Sequence, residues 1–293
     1  MAHSLEGVYL IPQCIAFVAG KGGVLKTTAA TQTAGLAAAG GWSVLLVDLD
    51  PQGNAMFDLG YRSDGGAGLA DALMRGTPLR PASDRRDGLA YVAGGPALDE
   101  LAPHLALHPE AIHALHNALE PIADAYDLIV VDAPPRELAL RRMILTAAHY
   151  LVVPSGVDRA SRVGLADAAA SVTEIRQATN PDLDVLGVFA GPVGANSHQI
   201  RSRVVTRLGD LIDDHDLVLG TVVRYAPLIA EECRERGLLV GEYADAASRA
   251  QPWYEAIKTG SETYSRAAEG LAADWQLLVD EILARFVKLQ EPS

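Results

Sequence analysis

The sequence predicts an α/β fold, a mostly parallel twisted sheet flanked by helices on both faces. Three observations predict it. Short apolar runs alternate with helix-forming stretches along the chain, as in parallel strands buried on both sides. A glycine-rich turn, "GKGGVLKTT" (Gly20 to Thr28), joins the first apolar run to the first helix. Two later runs end on aspartates, and the carboxyl edge of such a sheet is where ligands bind.

The elements follow in order. "CIAFVAG" reads as the first strand, and Lys26 to Ala39 as the first helix. Further strands are read in "SVLLVDLD", "LAYVAGG", "YDLIVVDAPP", "HYLVVPS", "DVLGVFAGPV" and "GTVV". The glycine breaks "SDGGAG" (Ser63 to Gly68) and "GGP" (Gly94 to Pro96) are short enough to be loops. One domain is therefore expected over residues 1–293, with a helical C-terminal segment at about 251–293, wholly helical from Trp253. About a dozen residues precede the first strand, too few for an N-terminal helix-turn-helix domain.

Composition narrows the function classes. The 293 residues are 49% hydrophobic, ample for a packed core. No window reaches the ~18 uninterrupted apolar residues of a membrane span, and "MAHSLEGVYL" lacks the pattern of a secretory signal. Cys14 and Cys233 lie far apart and outside any C-x-x-C pattern, so a disulfide framework or zinc site is not expected, and the compartment read is cytoplasmic. A net charge of −13 argues against general attraction to nucleic acid, so any DNA contact must come from a local patch.

The chemistry lies in three segments. In a Walker A loop, G-x-x-x-x-G-K-[ST], backbone N–H groups and a helix N-terminus surround phosphates. Gly20, Lys26 and Thr27 fit that pattern, while Leu25 stands where the second glycine belongs. The expected phosphate cradle is Gly20, Lys21, Gly22, Gly23, Val24, Leu25, Lys26, Thr27 and Thr28. Lys26 would reach the β- and γ-phosphates and the Thr27 hydroxyl would ligate magnesium. "VLLVDLDPQGN" then delivers Asp48 and Asp50 to a strand end, where two carboxylates beside a triphosphate need a cation or ordered water between them. "YDLIVVDAPP" ends its apolar run at Asp132, the form of a Walker B strand. If position 25 requires φ > 0, leucine there costs about 1–2 kcal/mol and its side chain must point away from the phosphates.

These segments resemble the ParA/MinD branch of P-loop ATPases, and within it the ParA (Soj-like) DNA-partitioning ATPases. The resemblance covers roughly residues 14–240 and rests on "KGGVLKTT", "VDLDPQGN", "YDLIVVDAPP" and, more weakly, "TVVRYAPLIAEECRERG". It implies a P-loop fold, ATP and Mg2+ as cofactors, and slow ATP hydrolysis. It also implies a homodimer with ATP sandwiched between subunits, Lys21 of this branch's deviant loop acting across the interface as an arginine finger does. Lys21, Lys26 and Asp50 become the catalytic set, Asp50 positioning the attacking water, with Thr27, Asp48 and Asp132 around the metal. Non-specific double-stranded DNA and a ParB-like, centromere-binding partner that stimulates hydrolysis are the implied partners, and nucleoid association follows.

The best DNA patch is "SHQIRSRVVTR", with Arg201, Arg203 and Arg207 near one side of a helix. Arg224, Arg234 and Arg236 lie in the segment resembling the family's other DNA-facing region, although acidic neighbours also fit a mixed solvated surface. His104, His108, His113 and His116 read as a polar helix face rather than a metal site. Arg136, Arg141 and Arg142 follow the Walker B turn, either near an interface or as exposed helix charges. At the C-terminus, Leu271, Trp275, Leu278, Ile282, Phe286 and Leu289 form an amphipathic stripe whose polar side includes Asp274, Asp280 and Glu281. Docking on the sheet or a partner is expected of it rather than membrane binding. Two alternatives remain: a MinD-like membrane-cycling ATPase, and a switch that holds ATP with hydrolysis impaired by Leu25.

Overall fold

The structure, a computed structural model, describes residues 10–20, 23–135, 137–156, 158–194 and 198–290. Its strands are β1 (Ile11–Phe17), β2 (Val44–Asp48), β3 (Ala82–Arg86), β4 (Leu89–Val92), β5 (Leu128–Asp132), β6 (Ala148–Ser155), β7 (Asp184–Val193) and β8 (Val218–Arg224). They form one sheet in the order β3-β4-β2-β5-β1-β6-β7-β8. Every neighbouring pair is parallel except β3 with β4.

The apolar runs become strands because both of their faces are covered. Along β1, Cys14 and Ala16 face one core while Ile15 and Phe17 face the other, and β2 and β5 alternate likewise. On the first face pack α3 (Ala67–Arg75), α4 (Leu101–Leu107), α5 (Ala114–Ala123), α6 (Leu138–Ala147), α7 (Arg159–Ala178) and α8 (His198–Ile212). The second carries α1 (Lys26–Ala39), α2 (Ala55–Leu59), α9 (Pro227–Arg236), α10 (Val240–Arg249) and α12 (Ala268–Gln290). The expected α/β architecture is the one observed.

All seven expected strands form. The eighth, β3, was not expected: "ASDRR" is polar, pairs only with β4, and exposes its middle residues, so it carries no apolar signal. The C-terminal segment is helical in α11 (Trp253–Thr259) and α12, with a non-helical stretch at 260–267 between them. There the wholly helical expectation fails, because Gly260 takes φ 68° and ends α11.

α12 docks as expected. Leu271, Trp275, Leu278, Val279, Ile282 and Phe286 are buried against β8, α1 and α10, each large side chain contributing about 1.5–3 kcal/mol by leaving water. Glu281 anchors the helix to the sheet edge by accepting from the N–H groups of Gly220 (2.7 Å) and Thr221 (3.1 Å).

Candidate nucleotide site

Sheet order assembles the site. β5 lies between β2 and β1, with Asp48 in register with Asp132 and Asp132 in register with Phe17. The loop after β1 therefore lies beside both strand-end aspartates.

The described part of the loop has the expected turn chemistry. Gly20 is required by close approach: a Cβ there would lie 2.4 Å from the Gly164 backbone of α7. Gly23 takes φ 77°. Leu25 caps α1 at φ 65° and ψ 22°, the left-handed region, so the strained alternative considered for this position is the one realised. Its side chain points away from the loop into the second core, where its Cδ1 would lie 3.2 Å from a Cβ at Gly191. Lys26, Thr27 and Thr28 open the helix; Lys21 and Gly22, expected in the cradle, lie outside the described residues.

Lys26 is buried, its ammonium donating to Asp132 Oδ1 with Asp50 Oδ2 at 3.9 Å. Two buried carboxylates thus share the Lys26 ammonium, with Asp48 buried beside them. Burial, reinforced by Asp132, pushes the Asp48 carboxyl up to about 8; burial raises Asp132 too, against the pull of Lys26. Asp132 Oδ2 is buried without a hydrogen-bond partner among the described residues. That orphaned oxygen at the loop is what a hard, oxygen-seeking cation such as magnesium satisfies, so the residues fit a magnesium-bound nucleotide.

Asp48, expected around the metal, has both carboxylate oxygens engaged by the backbone. Oδ1 accepts from the Asp50 N–H (3.0 Å), Oδ2 from the Ala55 N–H (3.2 Å), and the Tyr91 hydroxyl lies 3.5 Å from Oδ2. It braces the 49–55 loop that carries Asp50. Asp50 in turn accepts from the Gln52 N–H at 2.9 Å through Oδ1, leaving Oδ2 toward Lys26. Tyr91 and Gly164 had no sequence signal, since both reach the site only through tertiary packing.

The arginine patch divides. Arg201 and Arg224 both grip Asp274 of α12, with contacts of 2.6 to 3.1 Å, and Arg234 binds Asp58 at 2.8 Å. Arg201 and Arg224, expected to face DNA, are thus both ion-paired to a carboxylate 3% exposed. Arg203 and Arg207 are exposed, with no ion pair among the described residues. Asp274, placed on the polar side of α12 from sequence, is buried with the stripe. Arg136 lies outside the described residues; Arg141 is buried and donates to the Pro135 carbonyl, and Arg142 pairs with Glu174.

Among the described residues no three His, Cys, Asp or Glu side chains are placed to hold a metal, the four histidines included. The polar-face reading holds for exposed His108, whose ring lies 4.6 Å from that of His104, but His116 is buried.

A protein-family profile described as an AAA domain matches residues 12–185. The chromosome-partitioning ATPase Soj of Thermus thermophilus is 39% identical over 175 residues, covering 60% of this chain and 67% of Soj. The chain belongs to the ParA-like P-loop ATPases. This ParA-like chain is also 30% identical over 274 residues to the cell division protein PomZ of Myxococcus xanthus, covering 91% of the chain and 76% of PomZ. Among solved structures, it resembles cobyrinic acid a,c-diamide synthase from Mycobacterium smegmatis with bound ADP and magnesium, at 26% identity and TM-score 0.62 over 86% of this chain and 98% of that one. No helix among the described residues is long and apolar enough to cross a membrane.

Proposed function

We propose that this chain is an ATP-dependent DNA-partitioning protein. Its ATP-sandwich homodimer binds non-specific double-stranded DNA, which makes it nucleoid-associated in the cytoplasm, and a ParB-like centromere-binding partner stimulates hydrolysis and release. The carrying observation is Lys26 held between Asp132 and Asp50 at the carboxyl edge of β1, β2 and β5, in a chain related to Soj.

In this reading the incoming phosphates draw Lys26 off Asp132, and the loop amides bind their oxygens. Thr27 and the freed Asp132 hold the magnesium shell, with Asp48 bracing the loop behind it. A magnesium ion held there would supply positive charge to offset that of the phosphates. Asp50 orients the attacking water, and Lys21 reaches the partner's nucleotide in trans. The membrane-cycling alternative is disfavoured because Leu271, Trp275, Leu278, Ile282 and Phe286 of the α12 stripe are already buried on the sheet, Leu289 alone of the expected stripe being exposed.

Analytical ultracentrifugation with a labelled random-sequence duplex in magnesium, with ATP and separately with ADP, tests the reading. Dimer and duplex moving together only with ATP supports it; a dimer that ignores the duplex, or a monomer in both nucleotides, defeats it. Asp50→Ala is expected to keep ATP-dependent co-migration while phosphate release falls at least about a hundredfold, the scale of a lost general catalyst. Release equal to that of the variant would make the wild type a switch that holds ATP without cleaving it.

A further inference from the structure

Asp58 is a buried carboxylate that the chemistry at Lys26 does not use. It stands in the short helix α2, 7% exposed, eight residues after Asp50. Its Oδ1 accepts from Arg234 Nε of α9 at 2.8 Å, and its Oδ2 from the Thr31 hydroxyl of α1 at 3.3 Å. Burial pushes this carboxyl up, and the Arg234 guanidinium pulls against that. A buried ion pair is a poor source of stability, since apolar side chains of like volume often serve as well. In some proteins it fixes instead how neighbouring elements meet.

What meets here is the far end of the segment that carries Asp50. At the near end Asp48 accepts from the N–H groups of Asp50 and of Ala55, where α2 begins. At the far end Asp58 ties α2 to α1 and α9. Arg86 of β3 closes the same junction, donating to the Leu59 carbonyl of α2 and, at 3.0 Å, to the carbonyl of Gly237, which caps α9. The two helix ends touch: a Cβ on Gly237 would lie 2.4 Å from the Gly60 Cα. Asp50 therefore belongs to a short segment held at both ends, and one of the holds is a charge from α9.

We propose that Asp58 is a positioning residue for Asp50: joined to Arg234 and Thr31, it sets where α2 stands and so where the loop presents the Asp50 carboxylate. Arg234, placed from sequence in a DNA-facing segment, thereby acts on the nucleotide site from behind. This rests on the reading that Asp50 orients the attacking water. A misplacement of ~1 Å costs on the order of a hundredfold in rate, so a partial shift of Asp50 should cost about tenfold.

Phosphate release at saturating ATP and magnesium, beside ATP affinity by equilibrium dialysis and thermal unfolding, tests this on three variants. In Asp58→Leu/Arg234→Met, an apolar pair in place of the ionic one, kcat should fall about tenfold, with ATP affinity within about twofold and thermal stability kept. Asp58→Asn, which removes only the charge, should lower kcat at least about threefold, again without loss of affinity. The contact runs through Nε, so Arg234→Lys, which returns a point charge to Asp58, should stay within about twofold of wild type. Wild-type kcat in the folded apolar pair or in Asp58→Asn overturns the role of Asp58. So does affinity that falls in step with kcat, or a lysine variant no better than the others. If the apolar pair fails to fold, Asp58→Asn decides alone. A wild type that releases no more phosphate than Asp50→Ala would instead strike the hydrolysis reading itself.

Discussion

Leu25 shows how a loop keeps its shape with the wrong residue in it. At φ 65° a γ-branched side chain costs about 1–2 kcal/mol relative to glycine. Packing in the second core offsets that cost, and it is possible because Gly191 opposite carries no Cβ. Gly191→Ala is therefore expected to destabilise by about 1–2 kcal/mol through overpacking against Leu25. Adding Leu25→Gly should recover most of the loss, read as denaturant midpoints of the four proteins in the cycle. Effects that add within about 0.5 kcal/mol would mean that the two positions do not communicate. The placement of the strand-end carboxylates was legible in sequence because aspartates after apolar runs have one geometric outcome in a parallel sheet. The Leu25–Gly191 fit was not, since residues 166 positions apart meet only through the order of strands.

At the scale of elements, the arginine clamp on α12 decides what the C-terminal helix does. Asp274 lies in the apolar stripe, three residues after Leu271 and four before Leu278, and that spacing was the available sequence signal that it is buried. Burial alone would raise its carboxyl, but hydrogen bonds from Arg224 and Arg201 outweigh this and hold it below the usual range. Its folded pKa is depressed, so the stabilisation is present above the unfolded value of 3.8 and is lost as pH falls through the folded one. Asp274→Asn should cost about 2 kcal/mol at pH 7, less than a fully buried broken pair because both arginines are partly exposed. Thermal unfolding against pH should show the gap from wild type closing below about pH 4. A gap that stays constant down to pH 2 would assign the loss to packing rather than charge. By contrast, β3 was illegible because an edge strand paired on one side needs no apolar face.

For the whole molecule, a net charge of −13 sets the terms of any DNA contact. Most of the surface repels phosphate, so binding must concentrate where free arginine remains. With Arg201 and Arg224 held by Asp274, that leaves Arg203 and Arg207 of α8 in the expected patch. Each phosphate contact contributes about −0.9 to the slope of log affinity against log salt. A dimer presenting both arginines from each subunit should lose about 3 to 4 units of slope in the Arg203→Ala/Arg207→Ala variant, uniformly across duplex sequences. Arg201→Ala should instead lower thermal stability and leave the slope unchanged, because its charge serves the α12 clamp. Fluorescence anisotropy of a labelled duplex with ATP and magnesium, titrated at several salt concentrations, separates the two. If the slope follows Arg201 rather than Arg203 and Arg207, the clamp opens on DNA and the exposed pair is only a solvated face. If neither changes it, DNA engages another face of the dimer and α8 has no part in holding it.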